Sequence, residues 1–117
     1  MKRRGPTTAQ LTEALGKVSK PGGRQLRFLS AHCRAPGRAT TAAKLAVAAK
    51  YKSWRAINLR YGLLAEAIGR KLGKRGAGLG ILLEFASPRS ITNEQWVLVM
   101  RPEFANALRR SKWVREV

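Results

Sequence analysis

The sequence predicts a mainly α-helical protein that carries a C-terminal β-hairpin, and three observations predict it. Apolar residues recur at steps of three and four from Leu11 to Leu72, which is the helical period. Two short stretches after Gly80 are instead rich in branched and aromatic residues, the composition of strands. Gly and Pro clusters punctuate the chain between these segments. With 117 residues and 44% hydrophobic content, the chain is long enough and apolar enough for one packed core.

Met1–Pro6 reads as a basic arm, and Thr7 with Gln10 then forms a capping box for a first helix carrying Leu11, Ala14, Leu15 and Val18. Lys20-Pro21-Gly22-Gly23 breaks it. A second helix is expected from Arg24 to about Arg34, with Leu26, Leu29 and Cys33 on its inner face and Phe28 beside them, and Ala35-Pro36-Gly37 ends it. Thr40 or Thr41 caps a short third helix over Ala42–Ala49, which buries Leu45, Ala46 and Ala49.

After the turn Lys50-Tyr51-Lys52, Ser53 caps a fourth helix from Trp54 to about Leu72. Ile57, Tyr61, Leu64, Ile68 and Leu72 form its apolar stripe. Lys74 to Gly80 is a basic, glycine-rich connector. Ile81–Phe85 and Gln95–Arg101 are the two expected strands, with turn composition from Ser87 to Glu94. Pro102 at a first helical position, followed by Glu103, opens a last helix to about Arg110, anchored by Phe104 and Leu108, with Trp113 and Val114 packing beyond it.

Charge points to function. Lys and Arg number 24 against 6 acids, all glutamate, for a net charge of +18. A small folded domain this basic is expected to meet a polyanion, nucleic acid first, because cations that neutralise phosphates release counterions. The basic residues are spread along the chain rather than along one amphipathic helix, which argues against a membrane surface. No apolar run is long enough to span a bilayer, and Thr7–Gly16 is too polar for the core of a signal peptide, so a cytoplasmic location is expected. One Cys and one His supply neither a disulfide framework nor a metal site, and no cofactor is expected.

Helix, short helix, tight turn, longer helix and hairpin together resemble a winged helix-turn-helix domain. The resemblance covers Arg24 to about Arg101, about two thirds of the chain. It implies that residues 1–23 form an arm and leading helix, and residues 24–117 the winged domain with its C-terminal helix. It further implies that Trp54–Leu72 is a recognition helix entering the major groove, and that Ala86–Glu94 is the wing tip. The stretch Tyr51-Lys52-Ser53-Trp54-Arg55-Ala56-Ile57-Asn58-Leu59-Arg60-Tyr61-Gly62 is also similar to a small bacterial and phage module often joined to an HNH-type nuclease. The nuclease half needs a cluster of His with Asp or Asn ligands, and this chain has one His and no Asp.

With the apolar stripe inward, Arg55, Leu59, Gly62, Glu66 and Arg70 face outward, and Asn58 and Arg60 lie on the flanks. Only the first turns of such a helix reach bases, so Ser53, Arg55, Asn58 and Leu59 are the candidate readers. Arg suits guanine and Asn suits adenine by bidentate geometry. The same residues also fit an ordinary solvated face. Phosphate contact is expected from Lys50, Lys52, Arg55, Arg60, Arg70 and Lys71, since eight basic residues and one acid lie between Lys50 and Arg75. Lys74 and Arg75, followed by spaced glycines, suit a backbone contact. In the wing, Arg89, Ser90, Thr92 and Asn93 are phosphate-type donors, or the polar residues of a plain hairpin loop. Lys2, Arg3 and Arg4 read as solubilising charge or as a minor-groove arm. Of the three tryptophans, Trp54 is the one placed to stack on a base.

Other chemistries fit poorly. The glycines of Gly76-x-Gly78-x-Gly80 follow a helix and precede a strand, the reverse of a dinucleotide fingerprint. Gly69 to Gly73-Lys74 is one residue short of a P-loop. His32 and Cys33 are neighbours on a helix, about 100° apart, so they do not face each other as base and nucleophile. The expectation is a non-enzymatic double-stranded DNA-binding protein of phage or mobile-element type, acting in transcription regulation. The first helix or the Phe104–Val117 tail is the surface available to a homodimer. The alternative is a protein-binding inhibitor on the same fold, of anti-CRISPR or anti-restriction type, which occupies an acidic protein surface or competes for DNA, and the exposed Leu59, Leu63 and Glu66 are the feature that favours it. RNA is a third partner class, disfavoured by the lack of an aromatic-studded sheet.

Overall fold

Five α-helices and a small antiparallel sheet make up the described residues of a computed structural model, which are 5–74, 78–86 and 96–115. Helix α1 spans Thr8–Gly16. Its capping box forms as expected, with Thr7 Oγ1 accepting from the Gln10 N–H at 3.1 Å and the Thr7 N–H donating to the Gln10 side chain at 2.9 Å. Helix α2 spans Gly23–Arg34. Its buried stripe is Phe28, Leu29, His32 and Cys33, and Leu26 stands at the margin, so the inner face is rotated toward the two aromatic rings. The chain then turns through Pro36–Arg38 with Gly37 and Arg38 in the left-handed region, at φ of 64° and 55°.

A strand follows where the sequence pattern predicts none. β1 (Ala39–Thr41) pairs antiparallel with β3 (Val97–Met100), with Thr40 opposite Leu98. Three residues are too few to display the alternation by which a strand is recognised, and the partner lies far along the chain. The Arg38 Nε–H donates to the Met100 carbonyl at 2.9 Å and fixes the approach to β1.

Thr41 closes β1 and caps α3 (Ala42–Ala49), its side chain accepting from the Lys44 N–H at 3.2 Å. Lys50 ends α3 in the left-handed conformation at φ 64°, its N–H returning to the carbonyls of Ala46 and Val47. α4 (Trp54–Lys71) follows, and it buries Ile57, Tyr61, Leu64, Ala65, Ile68 and Gly69.

The hairpin is shorter than expected. Ile81 belongs to a 3₁₀ turn over Leu79–Ile81, and β2 runs Leu83–Ala86 beside β3, giving the sheet order β1-β3-β2. The wing-tip residues beyond Ala86, including Arg89, Ser90, Thr92 and Asn93, lie outside the described residues, as do Arg75 and the arm residues Lys2, Arg3 and Arg4. α5 (Pro102–Arg110) completes the fold.

One hydrophobic cluster joins all five helices to the inner face of the sheet. α1 turns Leu11, Ala14 and Leu15 inward and packs chiefly against α5, whose Phe104, Ala105, Ala107 and Leu108 are buried. The apolar faces of the first helix and of the C-terminal segment thus cover one another. Arg101 is 7% exposed between Glu84 and Glu103, at 3.6 and 3.8 Å, and its guanidinium fills the space where Gly5 has no side chain. Among the described residues, no helix is long and apolar enough to cross a membrane.

Candidate nucleic-acid interface

The turn between α3 and α4 gathers the first group of sequence-selected residues. Lys50 and Lys52 are exposed on it. Ser53 caps α4, and its Oγ accepts the Arg55 N–H at 3.0 Å. That bond occupies one lone pair of the hydroxyl, so Ser53 first positions the helix start and keeps its O–H and a second lone pair to offer a ligand. Arg55 and Asn58 are exposed one turn apart on the outer face, as the helical period requires. The Arg55 guanidinium lies over the Trp54 ring, 5.4 Å from its centroid, which holds the charge near the helix end.

The outer face changes character further along. Leu59 and Leu63 are 57% and 51% exposed, one turn apart. Beyond them Glu66 accepts a hydrogen bond from the Arg70 guanidinium at 2.9 Å, an exposed i,i+4 pair. Arg70 is therefore partly neutralised where it stands. Lys71 borders a cleft between α1 and α4 together with Gln10, Glu13 and Lys17, and Lys74 is exposed beyond the helix end. Arg55 and Arg70 stand roughly 22 Å apart along α4 at the helical rise. The sequence-selected cations thus fall into two groups, one at each end of α4, rather than one continuous patch.

Arg60 belongs to neither outer group. It is half-buried on the flank of α4, with its guanidinium 5.8 Å from the Tyr51 ring centroid. Arg24, from α2, approaches the same ring at 5.2 Å. Sequence spacing gave no sign of this pairing, because Arg24 reaches the site only through the packing of α2 on the α3–α4 turn. Two other exposures also escape a linear reading. Phe85 at the end of β2 and Trp96 just before β3 are 48% and 45% exposed, so Trp54, itself 40% exposed, is not the lone accessible tryptophan.

The buried polar groups serve the fold. His32 is wholly buried, and both of its ring nitrogens have partners, Tyr61 Oη at 2.7 Å and the Leu98 carbonyl at 2.9 Å. Burial pulls the imidazole below its ordinary pKa and pushes the Tyr61 phenol well above its own. Cys33 is buried with its Sγ 3.6 Å from the sulfur of Met100, and burial raises its thiol pKa. Among the described residues, no three His, Cys, Asp or Glu side chains lie together as a metal site would need.

No protein-family model matches the chain, and neither the curated proteins nor the solved structures contain a match to it.

Proposed function

We propose that this chain is a winged helix-turn-helix protein that binds double-stranded DNA, with the start of α4 as its reading element. The observation that carries the reading is the cluster at the α3–α4 turn. Lys50, Lys52, Arg55 and Asn58 are exposed together, and the sequence holds no carboxylate from Lys50 until Glu66. Four donors at a helix start suit phosphate contact combined with some base reading. β1 adds support, because its pairing with β3 ties the hairpin to the strand that leads into α3. The likeness of Tyr51–Gly62 to a bacterial and phage module favours a phage or mobile-element role in transcription regulation.

A second reading has its own observation. The exposed Leu59 and Leu63, followed by the Glu66–Arg70 pair, make the middle of the outer face better suited to a protein than to a groove. On this reading the chain blocks a nucleic-acid-handling complex, as an anti-CRISPR or anti-restriction factor does, by occupying an acidic protein surface.

Titration against a random-sequence duplex at low and physiological salt, with Arg55→Ala and Asn58→Ala beside the wild type, separates the two. The DNA reading expects steeply salt-dependent binding and a loss of roughly 1–3 kcal/mol for a side chain that reads a base. Binding that vanishes at physiological salt, or that ignores both substitutions, overturns it and turns the search toward an acidic protein partner.

A further inference from the structure

A shallow groove of about 360 Å³ lies where the start of α2 meets the α3–α4 turn, lined by Gly22, Gly23, Arg24, Gln25, Tyr51 and Arg60. Its two cations come from different helices and converge on one ring, Arg24 at 5.2 Å and Arg60 at 5.8 Å from the Tyr51 centroid. The ring is a fixed platform. Phe28 packs edge-on against it with centroids 6.1 Å apart, and the Tyr51 N–H donates to the Ala46 carbonyl at 2.9 Å.

No lining residue is acidic, and among the described residues neither guanidinium is paired with a carboxylate. Arg60 Nε is shut off from solvent and has no hydrogen-bond partner. A shielded N–H without an acceptor is costly, and two cations drawn to one ring repel each other. An anion seated in the groove relieves the repulsion between the two guanidinium groups.

We infer that this groove seats a phosphodiester of the duplex that the start of α4 engages, with Arg24 and Arg60 as its clamps. The inference rests on the DNA-binding reading above. Guanidinium forks match phosphate oxygens in geometry and charge. Tyr51 lies between Lys50 and Lys52, both exposed, so two further cations flank the platform along the turn that leads into α4. A polymer of phosphates spans such a run, whereas a single small anion has no use for its length.

The test measures duplex affinity across a series of KCl concentrations for the wild type, Arg24→Gln and Arg110→Gln. Arg110 is exposed on α5, which contributes nothing to the groove, so it controls for the loss of one charge. Arg24→Gln is expected to weaken binding severalfold and to lower the slope of log K against log salt by about 1, with Arg110→Gln leaving the slope in place. If the wild type binds duplex and the two variants behave alike, the groove seats no phosphodiester, while the α4 reading stands.

If the wild type does not bind duplex, both readings fall. Titration with inorganic phosphate, followed on the arginine Nε–H resonances by NMR, then identifies the source of the anion. Shifts at Arg24 and Arg60 without duplex binding assign the groove to a free phosphate instead of a phosphodiester. An absence of shifts there, relative to Arg110, removes the site altogether.

Discussion

The Tyr61 hydroxyl donates to Nδ1 of His32 across 2.7 Å, in a part of the core where both side chains are fully buried. The direction of the bond follows from the far side of the ring. Nε2 faces the Leu98 carbonyl at 2.9 Å, and a carbonyl only accepts, so Nε2 carries the proton and Nδ1 is left to accept. One imidazole thereby links α2, α4 and β3, the elements that set the angle between the helix start and the hairpin.

Tyr61→Phe keeps the ring, and its edge-on contact with Phe28 at 5.1 Å, but removes the donor. A buried imidazole nitrogen is then left without a partner, so the variant is expected to lose about 1–3 kcal/mol of stability. Urea unfolding reads this as a lower midpoint at unchanged slope. An unchanged midpoint would mean that the pair does not hold the core.

Acid should weaken the same link. Burial holds the folded-state pKa of His32 below its ordinary 6.5, so between the two values the unfolded chain takes up a proton that the folded chain refuses. The stability from neutral, buried His32 is therefore fully present above about pH 6.5, declines as pH falls below that, and levels off beneath the folded-state value. Urea midpoints at pH 7.5 and pH 5.5 are expected to differ in the wild type, and His32→Gln to flatten that difference.

Glu66 is the one acid between Lys50 and Arg75, and it holds Arg70 at 2.9 Å. Glu66→Gln removes a repulsive charge and releases the arginine. Duplex binding is expected to tighten severalfold, and the salt dependence to steepen. The exposed pair itself is worth little, so stability should change by less than about 1 kcal/mol. An affinity that does not move would place the far end of α4 outside the interface.

Lys50 sits at φ 64°, where a side chain is strained and glycine is not. Lys50→Gly is expected to stabilise the protein by about 0.5–1 kcal/mol while weakening duplex binding, since one exposed cation leaves the turn. Thermal unfolding and the duplex titration together check that the two effects run in opposite directions.

The helices were legible because each declares itself within a few residues. The Thr7–Gln10 box, the Ser53 cap, Pro102 and the Ile57–Tyr61–Leu64–Ile68 stripe are local signals, and the structure places α1, α4 and α5 where they point. β1 was not legible, because Ala39–Thr41 is a strand only by virtue of Val97–Val99 beside it. The outward face of α4 followed from its wheel, including the exposure of Arg55, Leu59 and Glu66. The convergence of Arg24 and Arg60 on Tyr51 did not follow, since it depends on how three separate segments pack.

The packing of α1 on α5 and the pairing of β1 with β3 also order events during synthesis. A ribosome delivers the first four helices while β1 still lacks the strand it needs and α1 still lacks its cover. Leu11, Ala14 and Leu15 then wait, open to the wrong neighbours, until the segment from Val97 to Leu108 emerges. A chain released before that point is an unfinished domain, with the apolar face of α1 and the edge of β1 both still unpaired.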